Sequence, residues 1–252
     1  MFANTAGIQL VNVSLRYNNS EIPTLARLNM TIPSGQWTVI LGRSGCGKTT
    51  ILRYLAGLLD DQVEWQGELT TTDGLALHQR IAYMAQQDLL LPWLSVSDNV
   101  CLSSRFSHPN SNSAAQSKRA SQLLKQVGLA DYVFAKPDQL SGGMRQRVAL
   151  ARTLMQDKPV VLMDEPFSAL DAVTRHKLQT LSATLLKEKT VVLITHDPQE
   201  AVRLAHQLYI LQGTPARAQS LIVPDSLPPR ILNGESATLQ QEILEQLEKD
   251  YE

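Results

Sequence analysis

Apolar positions in the first ninety residues fall into short runs divided by turn signals. Residues 8–17 and 29–32 read as strands, with Pro33-Ser34-Gly35 turning the chain into the next one. Trp37-Thr38-Val39-Ile40-Leu41 lacks the alternation of a half-exposed strand. An unbroken apolar run of this length suits a parallel strand buried on both faces. A glycine-rich turn follows at once, then a helical stretch over 49–59 and short strands over 63–69 and 80–84.

From about Ser95 the pattern turns helical. Residues 98–102 and 114–127 favour helix, divided by a polar loop over 107–113 that contains Pro109. Ser141 opens a further helix as its N-cap, with Met144, Val148, Ala151 and Met155 along one face. Strand runs return at 160–163 and 190–195, joined by a helix through 178–186. The pattern as a whole predicts a split α/β core with a mostly helical lobe inserted between about 91 and 158. Past Leu211 it weakens. Pro224, Pro228 and Pro229 mark a linker, and Leu239, Ile243 and Leu247 mark a last amphipathic helix, docked on the chain's own surface or used as a dimer contact. A main domain over 1–220 and a C-terminal linker with helix over 221–252 follow from this division.

Composition narrows the function classes. Hydrophobic residues make up 43% of the 252 and charged residues 19%, as in ordinary soluble domains. A net charge of -1 gives no footing for an electrostatic nucleic-acid partner. No apolar stretch approaches the roughly 20 residues a membrane-spanning helix needs, and the first residues lack a signal-peptide pattern. Two cysteines, Cys46 and Cys101, make neither a disulfide framework nor a four-ligand zinc site. The expectation is a cytosolic protein whose membrane role, if it has one, runs through a partner.

Gly42-Arg43-Ser44-Gly45-Cys46-Gly47-Lys48-Thr49 matches G-x-x-x-x-G-K-[ST] between an expected strand and an expected helix, the context of a P-loop. Its glycines let backbone N–H groups converge on phosphate oxygens at the positive end of a helix. Lys48 then lies against the β- and γ-phosphates, Thr49 holds Mg²⁺, and Thr50 completes the nucleotide-binding set. Cys46 has no adjoining histidine to activate it and reads as a small filler. Val160-Val161-Leu162-Met163-Asp164-Glu165 ends a buried strand in two carboxylates. After a P-loop, Asp164 fits the Mg²⁺-holding acid and Glu165 the general base for water. His196 follows the apolar run 191–194, at the strand end where α/β sheets place ligands, and fits a γ-phosphate sensor.

Leu140-Ser141-Gly142-Gly143-Met144-Arg145-Gln146-Arg147 resembles the LSGGQ signature of ATP-binding-cassette (ABC) ATPases, with Met144 where many members carry glutamine. The resemblance covers about residues 8–215, and its motifs stand in the family's order. It implies a P-loop NTPase (RecA-like) core with an N-terminal antiparallel β portion and an inserted α-helical lobe. It also implies ATP and Mg²⁺ as cofactors and ATP hydrolysis as the activity. Ser141, Gly142 and Gly143 would face the ATP of a second copy, in a head-to-tail dimer that sandwiches two nucleotides. Tyr17 corresponds to the adenine-stacking aromatic, with an ordinary strand tyrosine as the alternative. Gln86 corresponds to the Q-loop glutamine, which contacts Mg²⁺ and water, although the adjoining Gln87 leaves a one-residue slip open. Ser168-Ala169-Leu170-Asp171 resembles the D-loop, which crosses the dimer interface.

Asp88-Leu89-Leu90-Leu91-Pro92-Trp93-Leu94 resembles the LLPW stretch of importer ATPases serving nitrate, sulfonates, taurine and thiamine precursors. Leu89, Leu90, Leu91 and Trp93 then form, as a group, an apolar surface for a permease, or else pack the helical lobe. The resemblance implies an integral membrane permease with a substrate-binding protein as partners. It places the chain on the cytoplasmic face of the inner membrane. The segment around Gln86 leans to a thiamine-pyrimidine precursor as cargo, with sulfonate, taurine or nitrate as the other choices. The rival reading is a soluble ABC ATPase of cluster assembly or translation. Chromosome and DNA-repair ATPases separate the same motifs by large insertions that this chain lacks.

Overall fold

The computed structural model describes residues 5–59, 61–107, 113–168 and 170–250. A six-stranded sheet forms its centre, in the order β5-β6-β7-β3-β8-β9. These strands are β3 (Trp37–Gly42), β5 (Ile81–Met84), β6 (Val160–Asp164), β7 (Thr190–Ile194), β8 (Gln207–Gln212) and β9 (Arg217–Leu221). All pair in parallel except β9, which runs antiparallel to β8 at one edge. A separate antiparallel sheet, order β2-β1-β4, is built from β1 (Ile8–Tyr17), β2 (Leu25–Ile32) and β4 (Val63–Thr71).

The unbroken apolar strands are explained by their two covered faces. On β3, Val39 and Leu41 enter one core and Ile40 the other; on β7, Val191 and Leu193 oppose Val192 and Ile194 in the same way. One core lies beneath the small sheet and α1 (Lys48–Leu55). The other fills the opposite face with helices inserted between β5 and β6: α2 (Val96–Val100), α3 (Leu102–Ser107), α4 (Ser113–Gln126) and α5 (Gly142–Met155). Beyond β6 come α6 (Ala172–Leu185) and α7 (Pro198–Leu204), and after β9 comes α8 (Gly234–Lys249). Leu239 and Ile243 of α8 are buried in this second core and Leu247 packs against it.

Several boundaries depart from the sequence pattern. β2 begins at Leu25, four residues early, because the left-handed Arg27 (φ 49°) breaks its alternation without ending the strand. α1 stops at Leu55, short of Leu59, where left-handed Gly57 (φ 69°) turns the chain out. α2 starts at Val96, with Ser95 rather than Asp98 as its first polar residue and as its N-cap. α6 begins at Ala172, well before 178, because Asp171 caps it. The expected loop over 107–113 is narrower: Ser107 and Ser113 end and begin helices, and residues 108–112, with Pro109, lie outside the described residues. Four elements went unread, the buried β8 among them. α7 hides behind Pro198, a good first helical residue. α3 is a single short turn-and-a-half, and β9 is a mostly exposed edge strand with little apolar pattern.

Candidate active site

β3 delivers the chain to the loop 42–49 at the carboxyl edge of the parallel sheet, where open α/β sheets gather ligands. Gly47 closes the loop with φ 104° and caps α1. A Cβ there would stand 2.9 Å from Thr24 Cγ2 and 3.0 Å from Leu25 Cδ2, so backbone conformation and space both demand glycine. Lys48 is buried, and its ammonium donates to the carbonyls of Gly42 (2.7 Å) and Arg43 (2.8 Å). A fixed ammonium therefore stands beside the positive end of α1, a combination that attracts phosphate. Ser44 and Gly45 form the exposed tip.

Three other residues of the expected set turn elsewhere. Arg43 sends its guanidinium to Asp250 and Thr214, away from the loop's own lysine. Thr50 is buried, its hydroxyl 3.2 Å from Tyr17 Oη, while Tyr17 packs partly buried against the core under the small sheet. Cys46 is buried, and burial pushes its thiol up, against thiolate formation, as suits a filler.

Asp164, at the end of β6, is 3% exposed. The Thr49 hydroxyl donates to its Oδ1 at 3.2 Å and the Tyr83 hydroxyl to its Oδ2 at 3.3 Å. Burial pushes its carboxyl up from the usual range, with the two hydroxyls working the other way. A threonine hydroxyl and a carboxylate are hard oxygen donors, the kind Mg²⁺ takes beside substrate phosphates, so Thr49 and Asp164 fit that ion.

Glu165 comes next, in a left-handed conformation (φ 46°) that costs a non-glycine residue of order 1–3 kcal/mol. Its N–H is held by the Ile194 carbonyl at 3.0 Å. Gln86 Nε2 donates to its Oε2 at 3.3 Å, and His196 Nδ1 lies 2.9 Å from the same oxygen. Three separate segments thus meet at one carboxylate, which is mostly shielded (18% exposed) beneath an open histidine (61%).

The segment after Glu165 is tied down at both ends. Ser168 donates through its N–H (3.3 Å) and hydroxyl (3.0 Å) to the Glu165 carbonyl. Arg175 donates to the Leu170 carbonyl and pairs with Asp197, each at 3.1 Å, and Asp197 caps α7 directly after His196. Asp171 spends its carboxylate on the N–H groups of Thr174 and Val173, which holds its pKa below the usual range. Within the chain it caps α6.

Ser141 caps α5 by accepting from the Met144 N–H at 3.3 Å. Gly143 lies so close to Leu170 that a Cβ would stand 3.1 Å from Leu170 Cδ2. Ser141, Gly142 and Gly143 contact α5 itself and Leu170, and among the described residues no hydrogen bond joins them to the loop 42–49. α5 instead grips the segment after β5. Gln146 donates to the Gln86 carbonyl at 3.2 Å, Arg145 pairs with Asp88 at 2.9 Å, and Arg152 donates to the Leu89 carbonyl at 2.8 Å. The LLPW stretch splits accordingly: Leu90 enters the core and Leu91 is half-buried, while Leu89 (58%) and Trp93 (68%) are exposed. Val96 and Ser97 donate to the carbonyls of Ala135 and Val133, the residues on either side of Phe134, which is 90% exposed.

Sequence reasoning passed over Tyr83, Arg175, Phe134 and Glu200. Tyr83 is legible only once β5 and β6 are paired, as the partner of Leu162 one strand over. Glu200 did carry a signal, an acid directly before Ala201-Val202 in an apolar stretch. It is 3% exposed, bonded to the Thr195 hydroxyl at 2.6 Å, and pushed up to about 8 by burial.

A phosphate-binding loop, an adjoining hydroxyl–carboxylate pair and a second carboxylate held by glutamine and histidine define a P-loop ATPase. The ABC transporter family matches residues 25–168, and the chain belongs to it. It is 41% identical over 244 residues to an uncharacterized ABC transporter ATP-binding protein of Haemophilus influenzae, covering 95% of this chain and 98% of that one. It is 41% identical over 246 residues to the aliphatic sulfonates import ATP-binding protein SsuB 1 of Xanthomonas axonopodis, covering 94% of each. To the taurine import ATP-binding protein TauB of Pseudomonas aeruginosa it is 39% identical, over 83% of this chain and 79% of that one. The dimeric ATP-binding cassette MJ0796 bound to ADP and Pi superimposes with a TM-score of 0.75 at 32% identity, covering 87% of this chain and all of that one. The fold is that of the ABC cassette, and the activity is ATP hydrolysis.

Proposed function

We propose that this chain is the ATP-hydrolysing subunit of an importer for small organic sulfonates, taurine among them. It works in a pair with a second copy, at the cytoplasmic face of the membrane, beneath an integral permease fed by a substrate-binding protein. The observation that carries the reading is the meeting of Gln86, His196 and Glu165 beside the Thr49–Asp164 contact. The sulfonate class is supported by the names of the SsuB and TauB relatives. A thiamine-pyrimidine cargo has no support among these relatives.

Lys48 and the loop glycines bind the β- and γ-phosphates, and Tyr17 borders the base. Thr49 and Asp164 would hold Mg²⁺, which would neutralise phosphate charge. Glu165 accepts a proton from the attacking water. His196, donating through Nδ1–H, orients that carboxylate, and its exposed ring faces the γ-phosphate. Gln86, gripped from behind by α5, reports the state of the site to the Leu89–Trp93–Phe134 surface. Ser141, Gly142 and Gly143 close over the nucleotide of the second copy.

Those exposed apolar side chains favour a permease partner over the soluble ABC ATPase reading. The test is affinity purification of tagged Glu165→Gln protein from its native membranes with ATP. Co-purification of a multi-spanning permease and a sulfonate-binding protein is expected. Recovery of soluble partners alone, with the ATP-bound dimer intact, would overturn the transporter reading.

A further inference from the structure

The C-terminal helix ends on the phosphate-binding loop. α8 buries Leu239 and Ile243 and brings its C-cap residue, Asp250, against Arg43, the second residue of the loop. The Asp250 side chain is only 8% exposed. Its Oδ2 lies 3.4 Å from Arg43 Nε, its carbonyl accepts from Arg43 Nη1 at 3.1 Å, and its Oδ1 accepts from the Gly213 N–H at 2.6 Å. Arg43 Nη2 also donates to Thr214 Oγ1 at 2.8 Å, and Gln212 Nε2 donates to the Gln246 carbonyl at 2.7 Å. The last turn of α8 is therefore stapled both to the loop and to the turn between β8 and β9. A guanidinium on a C-cap carbonyl also complements the negative end of the helix.

Arg43 is held from its other side as well. Its carbonyl accepts from the Lys48 ammonium at 2.8 Å and from the Cys46 N–H at 3.4 Å. One residue thus connects the end of α8, through its side chain, to the phosphate-binding lysine, through its backbone.

We propose that Asp250 is a positioning residue for the nucleotide: by clamping Arg43 it fixes the peptide that orients Lys48, which makes α8 part of the phosphate-binding apparatus. This rests on reading the loop 42–49 as the ATP cradle. A loop ordered before its ligand arrives loses less conformational freedom on binding, so the clamp acts on affinity. It touches no reacting atom. Its loss raises Kd and KM and leaves the rate at saturation in place.

The test compares full-length wild type with Asp250→Asn, Asp250→Glu and Arg43→Ala, together with the double variant Arg43→Ala/Asp250→Asn. Leu124→Ala, in the distant α4, serves as a stability control. MgATP Kd, kcat and thermal unfolding are measured on each. Asp250→Asn is expected to raise Kd about 5- to 10-fold, on the order of 1 kcal/mol, with kcat within about 2-fold of wild type. The double variant is no worse than Arg43→Ala alone, because that change already removes the ion pair that Asp250→Asn weakens. Asp250→Glu recovers part of the affinity. Leu124→Ala lowers the unfolding temperature yet binds MgATP as wild type does. Wild-type affinity in Asp250→Asn, or an equal loss in Leu124→Ala, would overturn the clamp. A wild-type chain that binds no MgATP would overturn the cradle reading itself.

Discussion

Glu165 holds a left-handed backbone, its N–H is fixed by β7, and its carboxylate receives Gln86 and His196. Such a geometry costs stability and persists only where its surroundings hold it, as they do at catalytic carboxylates. Glu165→Gln keeps the shape and removes the proposed base. Its expected effect is a loss in kcat of about 10²–10⁴-fold with MgATP binding retained, checked by steady-state hydrolysis and equilibrium binding. Glu200 lies near by, buried beneath Thr195 and protonated through neutral pH because burial lifts its pKa to about 8. The folded state holds this proton more tightly than the unfolded chain does, for which an ordinary glutamate value of about 4.3 applies. Its contribution to stability is therefore full below about pH 4.3, declines as pH rises, and is lost above about pH 8. Thermal unfolding across pH 4–9 is expected to show wild type losing stability relative to Glu200→Gln as pH rises through that window. A constant difference between the two proteins would contradict the assignment.

At the scale of elements, α5 organises the molecule's output. Its first turn carries Ser141 and Gly143, its Gln146 holds the Gln86 backbone, and its Arg145 and Arg152 fix Asp88 and Leu89. On the proposed reading, a change at Glu165 reaches Leu89 through Gln86 and that helix. Trp93→Ala/Phe134→Ala is expected to abolish co-purification of the permease and leave ATPase activity of the isolated subunit within about 2-fold, since apolar anchors dominate interfaces of this kind. Retained co-purification would place the permease elsewhere.

The parts of this architecture legible in sequence were those with strong local pattern. The loop 42–49, the doubly buried β3, β6 and β7, and the α5 signature with its cap all announce themselves in a dozen residues or fewer. β9, α3 and the early turns of α6 did not, because an exposed edge strand and short capped helices draw their stability from tertiary contacts. The same distinction divides the site. Lys48, Asp164 and Glu165 sit in motifs, whereas Tyr83, Arg175 and Asp250 act only after distant segments are brought together. Arg43 and Thr50 show the converse, since motif membership says little about where a side chain points.

The whole molecule presents one phosphate loop and one signature segment, with no hydrogen bond between them among the described residues. On the proposed reading, a complete site requires a second copy, placed so that 141–143 of each faces 42–49 of the other. The similar MJ0796 cassette is itself dimeric. In the proposed mechanism the differential affinity of ATP for the paired state is the physical source of work: nucleotide would favour closure, and hydrolysis would remove the bias. The most direct measurement is sedimentation of purified Glu165→Gln protein with and without MgATP. The account predicts a monomer without nucleotide and a dimer with it, the dimer being lost when Ser141→Arg blocks the signature segment. A monomer under both conditions, at concentrations where MgATP is bound, would contradict it.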